Sequence, residues 1–175
     1  MSDLQKLPAY TIQGAARFYC YTNNRWVTDS DDNYGTNYHQ ANENGGTGAT
    51  PIVEWEHLGN LISQGRTINR LKIVGHSNNL QITDMEIYIV AKFPDTDARW
   101  ETGIDNDAED VTDVLFQGNF KTPTMTGNMN DLMKRDIQIN YTFPRDGFLS
   151  LYVRPVGTLT ATRYWRATWV WEIND

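Results

Sequence analysis

Glu54 and Glu56 flank Trp55, and two carboxylates beside an indole are groups that a glycoside hydrolase would use. On a strand, residues i and i+2 point the same way, about 7 Å apart. That spacing is generic, and catalysis is not assigned there. Asp105-Asn106-Asp107-Ala108-Glu109-Asp110 places oxygen donors at alternate positions, as a calcium loop would. An EF-hand needs Gly at its sixth place and Glu at its twelfth, and those places hold Asp110 and Phe116. Asp29, Asp31 and Asn33 alternate too, but Tyr34 stands where the glycine belongs. His39, His57 and His76 make no His-x-His or Cys–His spacing, so no zinc site is expected. Cys20 is the single cysteine, which excludes an intrachain disulfide. It sits in the apolar run Phe18-Tyr19-Cys20-Tyr21 and reads as a small buried hydrophobe. No nucleophile elbow, phosphate loop or dinucleotide fingerprint occurs. The expectation is no catalytic residue, no cofactor and no metal. Aromatics remain as candidate contact groups: Trp26, Trp55, Trp100, Tyr34 and Tyr38 as exposed platforms, Trp165, Trp169 and Trp171 as core.

The elements that must carry these residues are strands. Met85 to Phe93 alternates, with Met85, Ile87, Ile89, Ala91 and Phe93 on one face and Glu86, Tyr88, Val90 and Lys92 on the other. Ile137, Ile139, Tyr141 and Phe143 alternate with polar residues, as do Leu149, Leu151 and Val153. The longest run sets Trp165, Ala167, Trp169, Trp171 and Ile173 on one face. Period two over such lengths marks strands with one buried face. Shorter candidates are Ala15–Tyr21, Arg25–Thr28, Ile52–Glu56, Ile68–Gly75 and Val114–Phe120. One short helix is predicted near Asp107–Leu115, with acids in its first turn. The pattern therefore predicts an all-β, jelly-roll-like β-sandwich of about eight or nine strands, with long loops and at most one short helix. The core should contain Ile87, Ile89, Ile139, Leu149, Leu151, Val153, Trp165, Trp169 and Trp171. The domain reading is an N-terminal arm over residues 1–9, then one sandwich domain over 10–175 with a polar loop at 29–50. That loop has no Val, Ile, Leu, Met, Phe or Trp. Loops so long are either functional or disordered, and its glycines argue for flexibility in isolation.

Charge is unevenly placed. The net charge is −7. Eight acids and one base, Arg99, lie between Asp95 and Asp113, so this segment alone carries the whole excess. The other fourteen acids and fourteen bases cancel. No basic stripe appears in the sequence, so no nucleic-acid partner is expected. No apolar run approaches the roughly 18 residues of a membrane helix, so no membrane partner is expected. The N-terminus shows no apolar signal region, which predicts synthesis in a cytoplasm.

Trp100-Glu101-Thr102-Gly103-Ile104-Asp105, then Phe148-Leu149-Ser150-Leu151-Tyr152-Val153-Arg154-Pro155, then Thr162-Arg163-Tyr164-Trp165 give the C-terminal half its texture. In that texture the chain after about Pro51 resembles small jelly-roll virion proteins of tailed bacteriophages, of the capsid decoration (cement) or head-fibre type. The resemblance implies a non-enzymatic homotrimer on a capsid, made in a host cytoplasm and located in the virion. Its partners would be other copies of itself and the major capsid protein or another virion protein. Interface contacts are expected from Tyr34, Tyr38 and His39 in the polar loop and from Leu4 and Leu7 in the arm. The alternative is a carbohydrate-binding module or receptor-binding tip using exposed aromatics.

Overall fold

The structure is a computed structural model; it describes residues 9–22, 27–28, 60–93 and 112–174. These residues form nine strands: β1 (Tyr10–Cys20), β2 (Val27–Thr28), β3 (Asn60–Ile62), β4 (Thr67–Ser77), β5 (Asp84–Lys92), β6 (Thr112–Asn119), β7 (Met133–Thr142), β8 (Gly147–Val156) and β9 (Arg163–Asn174). One sheet runs β1-β9-β4-β7 and the second runs β2-β8-β5-β6, with β3 also on β8. All pairings are antiparallel.

The edge of β8 explains the ninth strand. Val27 and Thr28 pair with Val153 and Tyr152, and Asn60 to Ile62 pair with Leu149 to Gly147. Both segments run the same way along the same edge, so β2 and β3 fill one strand position that residues 29–59 interrupt. Eight positions in two sheets of four remain. The chain crosses between sheets at nearly every connection, which is the double Greek key of a jelly roll.

Alternation drives the packing. In β9, Trp165, Ala167, Trp169, Trp171 and Ile173 are buried, while Arg166 and Thr168 are exposed. The first sheet supplies rings: Phe18 lies 5.6 Å from Trp165 and 5.9 Å from Trp169, and Phe120, just past the end of β6, meets Trp165 edge-on at 5.3 Å. The second sheet supplies the aliphatics Ile87, Ile89, Leu149, Leu151 and Val153. Two glycines make room for the rings. A Cβ on Gly14 would fall inside the Trp169 indole, and one on Gly75 inside the Trp165 indole. This is why β1 begins earlier than the expected Ala15: its inward residue Gly14 is small where Trp169 lies over it, and the next inward residue, Ala16, faces Ala167, so the apolar signal is weak there.

Eight of the nine expected core residues are buried; Ile139 is only partly so. The β4–β7 register shifts between Ile68 and Arg70, and Asn140 takes φ +53°. Ile139 still packs against the core, but on β7, at the edge of the sheet, it is only partly covered; Asn140 beside it tolerates the left-handed conformation. Val90 departs the other way. It was expected among the polar face of β5, yet it is 2% exposed, and Lys92 beside it is 7% exposed. The β5–β6 register shifts at Ile89/Val90, and the outer face of the second sheet is covered there, since Ser150 and Tyr152 opposite are buried too.

The short helix expected near Asp107–Leu115 is not formed over its described part. Residues 112–115 belong to β6, where Val114 pairs with Val90. Cross-strand pairing outweighs the acidic helix-start signal at this edge. Residues 107–111, the strand candidate Ile52–Glu56 and the loop 29–50 lie outside the described residues. Strand β3 was not expected, because three residues are too few to show a period.

Candidate interaction surfaces

Three turns close one end of the sandwich. They are residues 78–83 between β4 and β5, 120–132 between β6 and β7, and 157–162 between β8 and β9. Asp84 ties two of them together: its carboxylate accepts from the Lys121 amide at 3.0 Å, the Asn119 side-chain amide at 2.9 Å and the Met85 amide at 2.7 Å. Thr83 donates its amide to the Val156 carbonyl at 2.9 Å, and Gln81 Nε2 donates to Thr160 Oγ1 at 3.1 Å. The Ser77 amide donates to the carbonyl of Met129, whose side chain is fully buried. These bonds hold the turns as a fixed surface, on which Leu80 and Leu132 are each 71% exposed.

The outer face of the first sheet carries charge. Arg70 Nε donates to Glu172 at 2.5 Å and Arg70 Nη1 to Asp136 at 3.3 Å; Lys72 Nζ also donates to Glu172. Both cations hold the Glu172 carboxyl below its ordinary value, the Arg70 hydrogen bond most. Beside Lys72 is a shallow depression of about 550 Å³, bounded by Gln13, Ala15, Val74, Thr168 and Val170. Among the described residues its one titratable group is Lys72, already engaged by Glu172. This lining offers no acid–base pair.

Across the same face a row of bases stands in register. Arg17 on β1 pairs with Arg166 on β9, and Arg166 pairs with His76 on β4. Arg17 and Arg166 are exposed. Arg17 also lies over the Tyr164 ring at 5.0 Å. Lys134 on β7, opposite Val74, is exposed on this face as well.

The outer face of the second sheet holds Arg154 bonded to Glu86, and Lys92 Nζ donating to the Tyr152 hydroxyl, above whose ring it sits at 4.7 Å. Between the sheets at the opposite end, the Tyr141 hydroxyl donates to Asp113, and burial with that carboxylate pushes the phenol's pKa well up.

The expected residues fall as follows. Trp165, Trp169 and Trp171 are core. Cys20 is buried, and loss of hydration pushes its thiol up to about 12, far from a reactive thiolate. His76 is half-buried on the basic row. The interface residues Leu4, Leu7, Tyr34, Tyr38 and His39 lie outside the described residues. So do Glu54, Glu56, Trp26, Trp55, Trp100, the histidines His39 and His57, and the clusters Asp29–Asn33 and Asp105–Asp110. The basic row was missed because each cation belongs to a different strand, and only the sheet register aligns them.

No family model matches the chain. No curated protein matches it. Among solved structures, the chain is similar to one from the infectious bursal disease virus Gx strain, at 12% identity and TM-score 0.44, covering 96% of this chain and 32% of that one. It thus spans about a third of that chain's length. It is also similar to a decameric BFDV capsid protein, at 12% identity and TM-score 0.30, covering 95% of this chain and 98% of that one. A 60-mer BFDV capsid protein gives 10% identity and TM-score 0.27 over 95% and 93%.

Proposed function

We propose that this chain is a non-enzymatic structural protein of a virion, a capsid decoration protein that attaches to the particle surface as a homotrimer. The observation that supports it most is the form of the molecule. A jelly roll presents broad sheet faces and one end of stitched turns, and residues 29–59 enter and leave through a single edge position on β8. Fixed turns on a rigid sandwich are suited to holding a partner. The polar loop, with Tyr34, Tyr38 and His39, and the arm, with Leu4 and Leu7, supply contacts to neighbouring copies and to the capsid. Tyrosines give rigid contact area at low entropic cost, and Asn side chains give adaptable hydrogen bonds.

Mass spectrometry of gradient-purified particles from the source virus tests this. The chain should be present at a fixed ratio to the major capsid protein, and light scattering of the purified protein should give three times 20.1 kDa. Absence from particles, or a glycan-array signal with no particle association, would replace this reading with the carbohydrate-binding one.

A further inference from the structure

We infer that the free edge of β1 pairs, antiparallel and across a two-fold axis, with the same edge of a second copy of this chain. Strand β1 ends the first sheet, and among the described residues no strand lies beyond it. Its exposure is that of an open edge. Thr11, Gln13 and Ala15 are exposed, and Tyr10, Ile12, Gly14 and Ala16, though turned inward, are only half-buried. An open edge presents unpaired N–H and C=O groups to any extended chain, and folded proteins guard such edges with charges, prolines or bulges. The other edges are guarded. Strand β7 carries Lys134, Arg135 and Asp136, a register shift against β4, and Asn140 at φ +53°. Strand β6 carries exposed Asp113 near its start and a register shift against β5. The position shared by β2 and β3 is interrupted by residues 29–59. From Tyr10 to Ala16, β1 has no charged residue and no proline, and its register with β9 runs unbroken. An unguarded edge of that kind is suited to strand addition.

The order of side chains points to a second copy as the occupant. On antiparallel neighbours, directly opposite residues share a face, so inward residues must meet inward ones. A two-fold axis at Gln13 satisfies this over the whole uncharged stretch. It sets Tyr10 opposite Ala16, Ile12 opposite Gly14, Thr11 opposite Ala15, and Gln13 opposite its own counterpart. Each larger inward side chain then meets a small one, so the two half-covered rows complete one another. Tyr10 is already steadied by Arg66, whose guanidinium lies 5.0 Å from its ring centre. Arg17 falls opposite Ala9, beyond the paired stretch, so no like charges stand opposite one another. On the outer face, the two Gln13 amides can hydrogen-bond to each other. This contact goes beyond the trimer reading: it is isologous, so it joins a copy in one trimer to a copy in the next. Two short edge strands bury less than the roughly 1,200 Å² of a stable interface, so the contact is weak singly and gains strength where several copies engage together.

The test places charge at Gln13, an exposed position, and reads sedimentation velocity up to about 500 μM protein. Wild type should form species larger than three times 20.1 kDa as concentration rises. Gln13→Lys and Gln13→Glu should each weaken that step about fivefold, because like charges then face each other at the axis, and an equimolar mixture should recover it. Recovery in the mixture reads the register, since a two-fold at residue 13 is what sets Lys directly against Glu. In the wild-type chain, amide hydrogen exchange over residues 10–16 should slow as concentration rises, which keeps the test valid if a variant fails to fold. A higher-order step that both variants leave unchanged, or exchange indifferent to concentration, would overturn this inference and leave the trimer standing. A wild-type chain fixed at three times 20.1 kDa at every concentration would do the same. A chain fixed at 20.1 kDa would overturn both. Dimers of single chains that both variants weaken would support this contact and overturn the trimer. Exchange over residues 10–16 that slows only on adding capsid protein would give the edge another occupant and overturn the inference.

Discussion

At the scale of single residues, tryptophan and glycine act as pairs. Among the described residues the three buried indoles of β9 leave their N–H groups without a hydrogen-bond partner, so apolar burial and ring contacts hold them. Such a cost is tolerated only where burial is complete and the facing backbone comes close. Gly75→Ala should therefore lower stability by about 1–3 kcal/mol, measured by urea melting, because its methyl would overlap the Trp165 ring. Adding Trp165→Phe should recover part of that loss if the clash is the cause, and a double-mutant cycle reads the coupling. Cys20 gives a second residue-scale outcome. With its thiol pushed up to about 12 by burial, it should resist iodoacetamide at pH 8 and become alkylated only as the chain unfolds. Labelling of the native protein at the rate of a free thiol would show that β1 opens. Glu172 sets a pH response. Its folded pKa lies below the ordinary 4.5, so its ion pairs contribute stability above that pH and lose it as pH falls through the folded value. Glu172→Gln should flatten the acid limb of a melting-temperature profile below pH 4.5 and change little at pH 7. The effect should be small, because both partners touch solvent.

Among the elements, long alternating runs were legible and short or interrupted ones were not. The apolar stripes of β5, β8 and β9 each declared a buried face, because period two survives wherever one sheet face meets the core. Departures occur where a local event breaks the period. Ile139 keeps its inward place, yet the edge position of β7 leaves it only partly covered. A register shift and a covered outer face buried Val90. Acids ahead of Val114 suggested a helix start, but pairing with β5 decided otherwise. The element-scale prediction concerns the polar loop. Deleting Asn37–Thr47 should leave the melting temperature within error, because the strand position on β8 is already filled by β2 and β3 on either side. The same deletion should weaken assembly or capsid attachment, read by light scattering and particle co-sedimentation. Unfolding would make the loop structural, and wild-type assembly would make it idle.

For the whole molecule, fold and charge separate. Two-sheet architecture followed from pattern alone, because alternation is a property of neighbouring residues. The candidate surfaces did not, because they are assembled from distant ones. Arg17 and Arg166 are remote in the chain and adjacent in the sheet. Asp84 binds Lys121 across 37 positions. Composition showed that acids are concentrated in one stretch; only the register showed that bases are gathered on one face.

The divided strand on the edge of β8 has an evolutionary consequence. Thr28 stops opposite Tyr152 and Asn60 resumes opposite Leu149, so the two ends of the insertion stand only about 10 Å apart. A port of that width accepts cargo of almost any length, since closing a longer loop adds little entropy. Selection can then rewrite the inserted stretch freely while the sandwich stays under the slow constraints of packing. The same port is a natural place to graft a foreign peptide for display.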